Sequence, residues 1–144
     1  MRTYLIIANQ TLGGDALRHE IVARMADGPA SFHVVVPATP VTHKLTWDEG
    51  ESVDAATERL DTILDWLRGH GAEATGEIGD HDPVQSARDA LLKHDADAII
   101  LSTLPVGISR WIGQDVPSRL RGAVALPVTV VTAAAAPSEA ATTS

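Results

Sequence analysis

The sequence predicts an α/β fold: a three-layer α/β/α sandwich built on a five-stranded parallel sheet. Three observations carry that expectation. Four short apolar runs and one polar edge run alternate with four stretches of helical period along the 144 residues. The central runs are apolar throughout, as in strands covered on both faces. Hydrophobic residues make up 44% of the chain and aromatics only 3%, so the core is Val, Ile, Leu and Ala. Strand–helix alternation implies right-handed crossovers and a parallel sheet.

Taken in order, the first strand is Tyr4-Leu-Ile-Ile-Ala8, starting near Thr3 and ending in the polar turn Asn9-Gln-Thr-Leu-Gly-Gly14. Residues 15–27 carry Leu17, Ile21 and Met25 on one helical stripe, and Gly28-Pro29 ends that helix. Phe32-His-Val-Val-Val36 is the second strand, stopped by Pro37-Ala-Thr-Pro40; a loop through His43 and Trp47 follows. The strongest helical pattern runs from about Glu49 to Arg68, with Val53, Ala56, Leu60, Ile63, Leu64 and Leu67 on its apolar face. Asp48 and Glu51 resemble a capping box. Residues 73–78 are polar for a strand, and Thr75 to Ile78 read as an edge. Asp82-Pro83-Val-Gln85 starts the next helix, with an N-cap Asp and Pro at the first helical position.

The remainder, residues 97–132, organises the chain. Ala98-Ile-Ile-Leu101 is a buried strand ending in Ser102 and Thr103. A loop with Pro105, Gly107, Ser109 and Gly113 follows. Asp115 is placed to cap a helix with Val116 and Leu120 on its apolar side, and Pro127 opens the last strand, Val128 to Val131. In open α/β sheets ligands bind at the carboxyl ends of the strands, so a small-molecule site is expected beside this loop. Residues 1–132 read as one domain, and 133–144 as a disordered tail without core-forming residues beyond alanine.

Charge and composition exclude several classes. A net charge of -8 argues against a nucleic-acid surface. There is no cysteine, so neither disulfides nor a thiolate metal site can form. No apolar run approaches a membrane span. The first strand follows Met1 at once, leaving no room for a signal peptide, so a cytoplasmic protein is expected. The six histidines, 19, 33, 43, 70, 81 and 94, form no recognised metal motif. His33, in a strand, reads as a hydrogen-bonded structural histidine. No catalytic residue is identified: there is no evident carboxylate pair, and Gly107-Ile-Ser109-Arg-Trp111 is no nucleophile elbow.

The layout resembles the universal stress protein family over roughly residues 2–132. The residues that carry the resemblance are Glu77-Ile-Gly-Asp80 with Asp82-Pro83, Asp95-Ala-Asp-Ala-Ile-Ile-Leu101, Gly113 before a helix, and Pro127-Val-Thr-Val-Val131. It implies the strand order 3-2-1-4-5, adenine-nucleotide binding, as in many members, and a homodimer through the last strand, Val128 to Val131. Members that bind ATP carry Gly-x-x-Gly and, after a spacer, Gly-Ser or Gly-Thr. Here Ser102 and Pro105 stand at the first two glycines, the loop is shorter, and Gly113-Gln114 replaces Gly-Ser. Asn9 stands for the family's Asp at the end of the first strand.

The expected ligand set is therefore Asn9, Val36, Ser102, Thr103, Gly107, Ser109, Arg110, Gly113 and Gln114. Pro105 has no N–H to offer a phosphate, so ATP or another adenine nucleotide is expected to bind weakly or not at all. The leading expectation is a non-enzymatic binding or regulatory domain with an altered or lost nucleotide site. The alternatives are a ligand-free dimeric scaffold and a phosphoryl- or nucleotidyl-transfer enzyme on a related fold. A Walker-type Gly-Lys-Ser/Thr is absent, which counts against the last. A proline at Thr129 is expected to remove a ladder donor and shift the protein toward monomer.

Overall fold

The computed structural model describes residues 1–8, 11–12, 14–38, 53–104 and 115–133. Its elements are β1 (Arg2–Ile7), α1 (Asp15–Ala26), β2 (Ala30–Pro37), α2 (Val53–Gly69), β3 (Glu73–Gly79), α3 (Pro83–Lys93), β4 (Ala98–Thr103), α4 (Val116–Ala123) and β5 (Val128–Thr132). The strands form one sheet in the order β3-β2-β1-β4-β5, every neighbouring pair parallel. This is the expected order. The capping box at Asp48 and Glu51 and the tail 134–144 lie outside the described residues.

The pleat sorts side chains onto two faces. Tyr4, Ile6, Phe32, Val34, Val36, Ala74 and Ile100 pack with Leu17 and Ile21 of α1 and Leu60, Ile63, Leu64 and Leu67 of α2. Leu5, Ile7, Val35, Ile99 and Leu101 pack with Val84, Ala87 and Ala90 of α3 and Val116 and Leu120 of α4. Ile99 and Ile100 point to opposite faces and both are fully buried, as a central strand covered twice requires.

Each connection has a local cause. Asp97 pins β4 to β1: its carboxylate accepts from the Thr3 N–H at 2.8 Å, and its own N–H donates to the Thr3 carbonyl at 2.7 Å. Asp82 caps α3 by accepting from the Val84 N–H at 3.0 Å, as its position before Pro83 predicts. The Arg119 guanidinium of α4 reaches the same carboxylate at 3.2 Å and ties the two helices together. Asp115 is different. It occupies the N-cap of α4 but makes no side-chain cap bond, because its backbone is left-handed at φ 57°. Capping side chains need extended backbone there, so the expected cap does not form.

β3 is longer than its sequence suggests. Ala74, Gly76 and Ile78 turn toward α2, while Glu73, Thr75 and Glu77 turn to the other face. A Cβ at Gly76 would sit 2.5 Å from Leu60 Cδ1 and 3.1 Å from the Val34 carbonyl oxygen. Glycine here lets α2 close onto the sheet.

Candidate functional site

β1 sends its connection toward β2 on one side, while β4 lies on the other. The strand order reverses at this point, and the crevice at the carboxyl ends of β1 and β4 is where such sheets bind ligands. Ser102 and Thr103 end β4 there, each 1% exposed. Thr11, from the segment after β1, shares a buried hydrogen bond of 2.5 Å with the Ser102 hydroxyl. That bond fastens the β1–α1 connection to the end of β4. Thr103 points to the opposite face of the sheet, and among the described residues its buried hydroxyl has no partner. Val36 is fully buried in the core under α1 and α2, so its side chain supports the cleft from below. Asn9, Gly107, Ser109, Arg110, Gly113 and Gln114 lie outside the described residues.

A second group gathers on the α3 face, over β2 and β3. The β2–β3 register pairs His33 with Thr75 and Val35 with Glu77, which sets His33, Thr75 and Glu77 on one face. His33 is buried; its Nδ1 lies 2.7 Å from Thr75 Oγ1 and its Nε2 2.7 Å from Glu77 Oε2. His94, just after α3, stacks on His33 with ring centroids 4.0 Å apart, and its Nε2 lies 4.0 Å from Glu77 Oε2. Lys93 Nζ approaches the other carboxylate oxygen at 3.2 Å. Burial pushes the Glu77 carboxyl up, but hydrogen bonds from His33 and Lys93, and their charges, outweigh it and hold the carboxyl below its ordinary value. His33 is the hydrogen-bonded strand histidine that the sequence suggests. Its gathering with Glu77 and His94 was not read from the sequence. The signal was the strand order, which places His33 beside the alternating polar residues of β3.

These features define a doubly wound α/β domain whose strand order reverses between β1 and β4. No protein-family profile and no curated sequence matches the chain. Solved structures do. The universal stress protein from Archaeoglobus fulgidus superposes with a TM-score of 0.57 at 17% identity, over 91% of this chain and 93% of that one. A universal stress protein in complex with cAMP superposes with a TM-score of 0.55 at 18% identity, over 92% of this chain and 98% of that one. The fold is that of the universal stress proteins. No helix among the described residues is long and apolar enough to cross a membrane.

Proposed function

We propose that the protein is a non-enzymatic binding or regulatory domain of the universal stress protein type, with its nucleotide site altered or lost. The observation that carries this reading is the Thr11–Ser102 hydroxyl pair. Both hydroxyls are buried at the strand end and bonded to each other, which turns them away from a ligand. The sequence of the following loop adds to it. A phosphate loop works by converging backbone N–H groups on the anion, and Pro105 has none. Each lost charge-assisted hydrogen bond is worth about 1.5–3 kcal/mol, so losing two weakens binding by about a hundredfold or more. Arg110 can restore part of this through a bidentate phosphate contact. A structural neighbour solved in complex with cAMP supports adenine nucleotides as the ligand class to test.

Calorimetric titration with ATP, ADP, AMP and cAMP tests the reading. Adenine nucleotides should bind weakly or without measurable heat, and any residual binding should fall in Arg110→Ala and Asn9→Ala. Micromolar ATP affinity unchanged by Arg110→Ala would overturn it. ATP incubated with the protein and Mg²⁺ should be recovered intact; stoichiometric or catalytic product would favour the transferase alternative.

The scaffold reading draws on the other side of the molecule. β5 is an outer strand whose residues Val128, Val130 and Val131 stay only half-buried within one chain. A homodimer through this strand would cover them.

A further inference from the structure

We propose that His33, Glu77 and His94 form a binding site for a divalent first-row transition-metal ion of the zinc class. The site lies on the α3 face of β2 and β3 and is separate from the crevice at the ends of β1 and β4. One donor atom from each residue lies within 4.8 Å of the other two. A tetrahedral ion with bonds of about 2.0–2.1 Å sets its donors about 3.3–3.4 Å apart. The separations from Glu77 Oε2, 2.7 Å to His33 Nε2 and 4.0 Å to His94 Nε2, straddle that value. The shorter is a hydrogen bond, and the ion takes the place of its proton. Binding requires the His94 ring to turn out of its stack on His33, so that both in-plane lone pairs converge on the ion.

The two histidines are mounted differently, and this suits a site that closes on its ion. His33 is held between strands, with Nδ1 against the Thr75 hydroxyl. Donation from Nδ1–H to that oxygen leaves the Nε2 lone pair free, the outer-shell arrangement that orients metal-binding imidazoles. His94 sits at the exposed end of α3, with 43% of its side chain accessible, so the ring has solvent on one side to turn into once it leaves its stack on His33. Two imidazoles and one carboxylate suit zinc-class ions and not Mg²⁺ or Ca²⁺, which prefer all-oxygen shells. Three protein donors leave a fourth position for water. Lys93 opposes the ion with its charge, but among the described residues it bonds Glu77 Oε1 alone and is largely exposed, so it can swing away.

The test uses tag-free, chelator-stripped protein titrated with Zn²⁺ by calorimetry and with Co²⁺ by visible absorption. One ion per chain is expected, with a Co²⁺ spectrum of tetrahedral intensity. His94→Ala and Glu77→Gln should each weaken Zn²⁺ binding at least about tenfold, the loss that even outer-shell changes produce. Lys93→Met should tighten it. His94 is exposed, so its variant should retain the wild-type circular dichroism and isolates the ligand effect from folding. Failure of the wild type to bind either ion would overturn the proposal and leave a purely structural hydrogen-bonded cluster. So would binding unchanged in both His94→Ala and Glu77→Gln, which would place the ion on other histidines.

Discussion

β3 and β5 are both outer strands of one sheet, yet their exposed chemistry differs. β3 carries Glu73 and Glu77, has Gly76 in its middle, and is clasped on one face by α2. Charge and glycine make a poor template for pairing with another chain. β5 reads Val-Thr-Val-Val-Thr, without a charge, and its valines are half-buried. The difference follows from what lies over each strand. α2 seals one face of β3, so that face is Ala, Gly and Ile. On the other face the apolar core of α3 reaches Val35 of β2, and the residues beyond it, Thr75 and Glu77, are polar and free to do chemistry. β5 has no such polar row, which is why the proposed partner subunit falls to β5 and the proposed metal ion to β3.

Both edges depend on the same centre, and the largest effect is expected there. Ile100 of β4 pairs with Ile6 of β1 and Thr129 of β5, and is fully buried. Ile100→Asp places an unpaired carboxylate in the core, which costs several kcal/mol out of the about 5–15 kcal/mol that holds a domain together. The variant should be insoluble or unfolded by circular dichroism. Soluble, cooperatively folded protein would mean that the edges do not hang from a buried β4.

A smaller effect is expected where α2 meets β3. In Gly76→Ala the new methyl meets Leu60 Cδ1 at 2.5 Å, and that side chain can give way. The Val34 carbonyl oxygen at 3.1 Å belongs to the neighbouring strand and yields less readily. Overpacking of this kind costs about 1–3 kcal/mol. Urea unfolding should show a lower midpoint with an unchanged slope. An unchanged midpoint would mean that α2 rests loosely on β3 and that the two edges are more alike than the structure indicates.

How much could be read from the sequence differs between these regions for the same physical reason. Apolar runs such as Ala98-Ile-Ile-Leu101 announce themselves, because both faces of a central strand are covered. The cap at Asp82 is equally legible, since Pro83 fixes where the helix begins. β3 is legible only as alternation, and its weak signal comes from having one sealed face. The His33, Glu77 and His94 cluster draws on β2, β3 and the end of α3, so no local spacing reveals it. It emerges only when strand order and register are combined. Asp115 shows the opposite failure: the residue type suits a cap, but left-handed backbone defeats it. At the end of β4, the sequence placed Ser102 and Thr103 where the strand stops. It did not show that Ser102 is engaged by Thr11, because that contact joins segments far apart in the chain.

The smallest effect on the monomer, and the sharpest test of the edge assignment, is a proline in β5. Its position decides what is tested. The Ile99 N–H donates to the Pro127 carbonyl at 2.9 Å, and the Ala133 N–H donates to the Thr103 carbonyl at 2.8 Å. In a parallel ladder alternate residues face the same neighbour. Residues 127, 129, 131 and 133 therefore turn their backbone groups toward β4, and Val128, Val130 and Thr132 turn theirs outward. Thr129→Pro, the substitution the sequence suggested, removes a donor to β4 and damages the monomer itself. Val130→Pro removes an outward N–H and keeps an apolar side chain against the α3–α4 core. By light scattering, the wild type should be dimeric and Val130→Pro should move toward monomer, while thermal unfolding at low concentration changes little. Thr129→Pro should lower the melting temperature whatever the assembly state. If the wild type is monomeric at working concentration, β5 is not an interface, and its uncharged edge needs another explanation. If Val130→Pro stays dimeric, the subunits meet through some other surface, and the contrast between β3 and β5 lies in helix coverage alone.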